Sequence, residues 1–174
     1  MKNKVIVLFC LLALLSSGNE AKAAGAEGSA TATIMTAISA SKNTETSTLG
    51  DLAFGVIIPG ESSGTVTIAP SDSKRTHEGD VALVSSKSGA ASFNISGAAN
   101  AVYTVTLPDN DAVNISNGSN TMKVHSFTVY PPSGSAKLGS DGLATFNIGG
   151  KLDVGANQQL GSYAGSFQVT VAYQ

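Results

Sequence analysis

The sequence predicts an all-β protein, a single antiparallel β-sandwich, on three observations. No window carries a 3.6-residue apolar repeat, whereas period-two alternation recurs along the chain. Turn residues cluster between the alternating runs at spacings of about ten residues, as the short strands of a sandwich require. Ser, Thr, Gly and Ala make up nearly half of the chain while charged residues are 13%, a composition of β-rich exported domains rather than of disorder.

Lys2 and Lys4 precede an apolar run from Val5 to Leu15, and Ala21-Lys22-Ala23 supplies a small-x-small cleavage site. Together they predict a secretory signal peptide over residues 1–23, with an apolar run too short to span a bilayer. No second hydrophobic stretch follows, so no membrane span is expected in the mature chain. Cys10, the one cysteine, leaves with the signal. The mature protein is then expected to have no disulfide, no thiolate nucleophile and no cysteine metal ligand.

Residues 24–41 read as an N-terminal extension. Within it Ala30, Ala32, Ile34, Thr36 and Ile38 share one face of a modest amphipathic strand. Residues 42–174 read as the sandwich domain. Val66 and Ile68 alternate with Thr65 and Thr67, Ala91, Phe93 and Ile95 with Ser92 and Asn94, and Tyr103, Val105 and Leu107 with Thr104 and Thr106. The last segment is the clearest, with Phe167, Val169, Val171 and Tyr173 on one face and Gln168, Thr170 and Ala172 on the other. From Met122 to Tyr130 the apolar phase changes between Val124 and Phe127, which predicts a bulge or bend. Turns are expected at Pro59-Gly60, Ser63-Gly64, Pro108-Asp109-Asn110, Asn117-Gly118, Pro131 to Gly134, Asp141-Gly142 and Gly149-Gly150. Residues 70–80 hold most of the local charge and read as an exposed loop.

Charge excludes one large class of partner. Without the signal peptide the chain is slightly acidic, and Arg75 is the single arginine. Neutralising phosphates needs clustered bases, so nucleic acid is not an expected partner. The motifs that carry chemistry fare no better. Gly60-Glu61-Ser62-Ser63-Gly64 matches the nucleophile elbow in letters, but it sits between two β patterns and reads as a polar hairpin loop. His77, Glu78 and Asp80, with Asp72 nearby, match no established metal spacing and read as a solvated loop. Asp109-Asn110-Asp111 lacks the later ligands of a calcium loop, and His125 stands alone in a strand pattern. No catalytic, metal or cofactor residue is assigned, and no enzyme is expected. With no tryptophan and Tyr130 the one suggestive aromatic, a sugar-binding surface is also disfavoured.

Two stretches carry a family resemblance. One is Leu52-Ala-Phe54-Gly-Val-Ile-Ile-Pro59-Gly60 followed by Gly64-Thr-Val-Thr-Ile68. The other is Gly149-Gly-Lys-Leu152-Asp-Val154, then Gln159, Gly161, Tyr163, Gly165 and the closing run from Phe167 to Tyr173. Together they resemble a bacterial family of secreted all-β domains of unknown function, which is similar in layout to the chaperone–usher pilins. Many pilins carry a cysteine pair, and this mature chain has none.

The resemblance implies an immunoglobulin-like sandwich that is incomplete and is completed by donor-strand exchange. It implies a fibre subunit supporting adhesion, passing through the periplasm with a chaperone and an outer-membrane usher, and ending at the cell surface as a homopolymer. The donor face would be Ala30, Ala32, Ile34 and Ile38. The C-terminal strand with Phe167, Val169, Val171 and Tyr173 would form the groove edge and the chaperone contact. The competing expectation is a stand-alone secreted β-sandwich, such as an adhesin, coat or envelope protein, whose first strand pairs within its own chain.

Overall fold

The structure, a computed structural model, describes residues 32–44, 50–109 and 112–174. The chain divides into two compact units, residues 1–33 and 34–174, and every described strand lies in the second. There is no helix among the described residues. Nine strands run β1 (Ser39–Lys42), β2 (Ile57–Ile68), β3 (Arg75–Leu83), β4 (Ala91–Ser96), β5 (Tyr103–Thr106), β6 (Val113–Asn117), β7 (Asn120–Tyr130), β8 (Leu143–Val154) and β9 (Thr170–Tyr173). Their pairings are antiparallel, and they form a sandwich-like arrangement of a seven-stranded sheet and the two-stranded sheet β5–β9.

β8 organises the large sheet because one of its faces stays buried from Phe146 to Val154. Phe146, Ile148, Gly150, Leu152 and Val154 are all buried on one face. One edge of β8 pairs with β7. The other edge pairs first with β4, over Leu143–Ile148, and then with β2, over Gly150–Val154. The handover falls at Gly149, where a Cβ would collide with the Ile68 carbonyl oxygen and the Pro70 nitrogen. The diglycine expected as a turn therefore lies inside a strand, where glycine permits close backbone approach rather than chain reversal. β1 extends the sheet beyond β4, β3 beyond β2, and β6 beyond β7.

The core draws on both sheets. Tyr103 of β5, Leu138, and Ile68, Ile95, Phe146 and Ile148 of the large sheet are essentially without solvent exposure. Phe93 stacks on Phe146 with ring centroids 5.2 Å apart, and Phe167 meets Phe93 edge-on at 6.4 Å.

Several local expectations change. Residues 60–64 are not a hairpin loop but an irregularity inside β2, since Pro59 pairs with Val81 and Gly64 with Gly79. The extra residues of β2 face Asp80, whose carboxylate accepts a hydrogen bond from the Ser62 amide at 3.1 Å. Residues 75–80 are not a loop either. They open β3, an edge strand, and their charges fit an edge that must resist further pairing. The phase change in β7 is a true bulge: its register with β8 shifts between His125 and Thr128, and Ser126 takes a φ of 50°. Asn117-Gly118 does form the β6–β7 hairpin, with Gly118 at a φ of 61°. The boundary expected at residue 42 falls within β1, whose four residues pair with β4 from Ser39–Ser96 to Lys42–Phe93.

Candidate functional site

Reactive groups give no centre. Among the described residues no three His, Cys, Asp or Glu side chains are placed to hold a metal ion. His125 has both ring nitrogens engaged, Nε2 with Asp153 Oδ1 at 3.0 Å and Nδ1 with Ser126 Oγ at 2.8 Å. It is tied into the surface of β7 and β8. Lys151 and Glu78 lie close by, 3.6 Å apart.

The opposite, inner face of the same strands is different. There a cleft of about 940 Å³ opens over a floor of Val113, Met122, Val124, Leu152 and Val154. Its two walls are not sheet strands. One is the segment 50–56, the other the segment 158–167. Each wall is held by a few specific bonds. Ala53 and Gly89 exchange backbone hydrogen bonds at 2.9 Å. The Arg75 guanidinium donates to the carbonyls of Phe54 (2.8 Å), Val56 (3.3 Å) and Val84 (2.5 Å), clamping the first wall to the end of β3. On the other side Ser116 and Ala164 exchange hydrogen bonds at 2.9 and 3.0 Å, and Asn117 Nδ2 donates to the Leu160 carbonyl at 3.3 Å. Tyr163 braces that wall internally, donating to the Gln159 carbonyl at 2.7 Å.

Apolar side chains stand open at both lips, with Val56 53% and Leu160 75% exposed. A smaller compartment of about 400 Å³ continues the cleft between β1, through Ala40, Ser41 and Lys42, and residues 167–170. Lys42, Phe93 and Phe167 line both compartments and so mark the waist between them.

The strand edges around the small compartment matter most. Among the described strands β1 pairs with β4 alone and β9 with β5 alone. Each has one strand partner, and the compartment lies between β1 and the segment 167–170 that leads into β9. At its far end the gap is bridged by Tyr173, whose hydroxyl donates to the Thr36 carbonyl and accepts from the Ala98 amide, both at 2.6 Å. Thr36 lies opposite Tyr173, and Ala40 to Lys42 lie opposite residues 167–170, so the two flanking segments run in opposite directions.

The residues expected to act in assembly separate here. Phe167, Val169, Val171 and Tyr173 are half-buried against the core, while Gln168, Thr170 and Ala172 are exposed, so the alternation is as read. Pairing with β5 is confined to Thr170–Tyr173. Ile34 is 96% exposed and lies outside any strand, as do Met35 and Ala32. Ile38 instead packs on the core of its own chain. Ala30 lies outside the described residues. Sequence reasoning missed the two walls. Leu52 and Phe54 were visible as a motif, but a segment held by carbonyl clamps leaves no periodic signal.

Residues 43–173 match the family described as Domain of unknown function (DUF4402). The chain belongs to that family. The DUF4402 match spans the sandwich from just after β1 to the penultimate residue, so it includes both walls of the cleft. Searches of curated proteins and of solved structures return no match.

Proposed function

We propose that the protein is the structural subunit of a bacterial surface fibre that supports adhesion, each copy donating its N-terminal arm to the cleft of the next. The observation that carries this reading is an apolar cleft that runs on into a gap between β1 and the segment leading into β9, two strands with one strand partner each, beside an arm whose Ile34 is 96% exposed. An added strand satisfies such edges with main-chain hydrogen bonds and fills the floor with alternate side chains. Burying Ile34 alone would contribute about 1.5–3 kcal/mol. Resemblance to chaperone–usher pilins supports secretion through the periplasm, with a chaperone covering the cleft and an outer-membrane usher ordering assembly. An open apolar cleft with bare edges is an aggregation hazard, which gives a physical reason for such a partner.

The test is Ile34→Asp. The carboxylate is harmless on a solvated arm but would be buried unpaired in a neighbour's cleft. Monomer melting should be unchanged and fibre yield lost. Normal fibres, or a monomer that unfolds, overturn the reading.

A second reading, the stand-alone secreted sandwich, is favoured by one observation: β1 pairs with β4 of its own chain. In that case Ile34→Asp leaves every property of the protein intact.

A further inference from the structure

The cleft is not uniform, and its shape selects among strands. Phe167 projects between the two compartments, packed edge-on to Phe93 and tilted against Phe127 with centroids 5.3 Å apart. The space on one side is about 940 Å³ and on the other about 400 Å³. The arm is graded too. Ile38 is held by its own core, and the Thr36 carbonyl is tied to Tyr173, so the residues of that face left to donate are Ala30, Ala32 and Ile34. That face reads small, small, large and carries no charge.

We infer that Phe167 is a specificity-determining residue of the cleft, admitting a second copy's arm only where a small residue, Ala32, crosses the waist. Ile34 then fills the large compartment and Ala30 the small one. This rests on the strand-donation reading above and adds its register and direction. Two observations fix the direction. The size order of the arm matches the size order of the compartments in one orientation only. Tyr173 also bridges the far end of the small compartment, while the arm is continuous with a folded domain after Ile38, so the N-terminal side of the arm leads inward. The donated strand therefore runs antiparallel to residues 167–173 and parallel to β1. An isoleucine or leucine at position 32 would meet the Phe167 ring, and dense interiors accommodate added methylenes poorly.

The experiment is a paired bump-and-hole series. The acceptor is the full chain carrying Ile34→Asp, which silences its own arm. The probes are labelled peptides of residues 28–38, unmodified or with Ala32→Leu, and binding is read by fluorescence anisotropy. The unmodified peptide should bind, and the Ala32→Leu peptide should bind at least about tenfold more weakly, the equivalent of one modest overpacking penalty. Adding Phe167→Ala to the acceptor should restore the leucine peptide. A Phe167→Val acceptor repeats the measurement if the alanine variant melts early. Equal binding of the two peptides to the parent cleft overturns the inference, and so does a leucine peptide that stays weak on both enlarged clefts. No binding of the unmodified peptide overturns strand donation itself.

Discussion

β8 lies under two different covers. At its N-terminal half Ile148 has no solvent exposure and does not line the cleft. At its C-terminal half Leu152 and Val154 share one open cleft with Met122 and Ile115. The strand is continuous and its inward face is apolar throughout, so the difference lies in what stands opposite. The two-stranded sheet closes one part of the sandwich, whereas two non-strand segments flank the other. The edges differ as well, but not in step with those halves: β3 lies beyond β2 on the cleft half of β8, and β1 beyond β4 on the closed half. β3 ends the sheet with Arg75, His77, Glu78 and Asp80, while β1 brings only Lys42 and β9 no charge at all. Charged edges resist strand addition and bare ones invite it. The two halves of β8 thus differ in cover, and the two ends of the sheet differ in charge.

The largest expected effect tests the closed half of β8. Ile148→Ala removes a buried side chain where no cavity wall can relax into solvent, and it should lower stability by about 2–5 kcal/mol. Denaturant titration measures it. A loss below about 1 kcal/mol would mean the closed half is no better packed than the open one. Next in size is Arg75→Leu. It strips three carbonyls, on the first cleft wall and at the end of β3, of a charged donor, and should cost about 2–3 kcal/mol. Hydrogen exchange should rise at residues 54–56, since the clamp rather than a sheet ladder holds them.

The strand faces were legible in the sequence and the cleft walls were not. Alternation at residues 91–96, 103–107 and 167–173 gave strand faces that the structure keeps, because each buries one face and period two follows from that alone. Turn chemistry misled where glycine serves packing. Gly149-Gly150 and Gly60 to Gly64 look like reversals but sit within β8 and β2, where a neighbouring backbone or an inserted stretch needs the space. Charge misled at residues 75–80, because a protected edge strand and a solvated loop share a composition. The cleft walls depend on Arg75 reaching carbonyls twenty residues away in sequence, which no local pattern encodes.

Tyr173→Phe sharpens the comparison at the point where the arm is pinned. The substitution removes the bonds to the Thr36 carbonyl and the Ala98 amide while keeping the ring against the core. A loss of about 1–2 kcal/mol is expected from two such bonds. Exchange should quicken at the amides of residues 36–38 and leave β5–β9 protected. Uniform loss of protection would show that Tyr173 supports the sandwich as a whole rather than the arm.

The smallest effect should come from Met122→Ala, the same chemical truncation as at Ile148 but on the floor of the cleft. Met122 is half-buried and already borders open space, so trimming it enlarges a solvent-filled cleft instead of creating a sealed void. The transfer cost shrinks with the area that was buried to begin with, and the cavity penalty largely disappears. Monomer stability should therefore fall by less than about 1 kcal/mol, against several for Ile148→Ala. The two substitutions separate further when the arm peptide is added. An occupied cleft turns Met122 into a core residue, so Met122→Ala should weaken peptide binding while Ile148→Ala, once folded, should not. If Met122→Ala proves as damaging to the isolated monomer as Ile148→Ala, the cleft is closed in solution by the chain itself, and the contrast between the two halves of β8 fails.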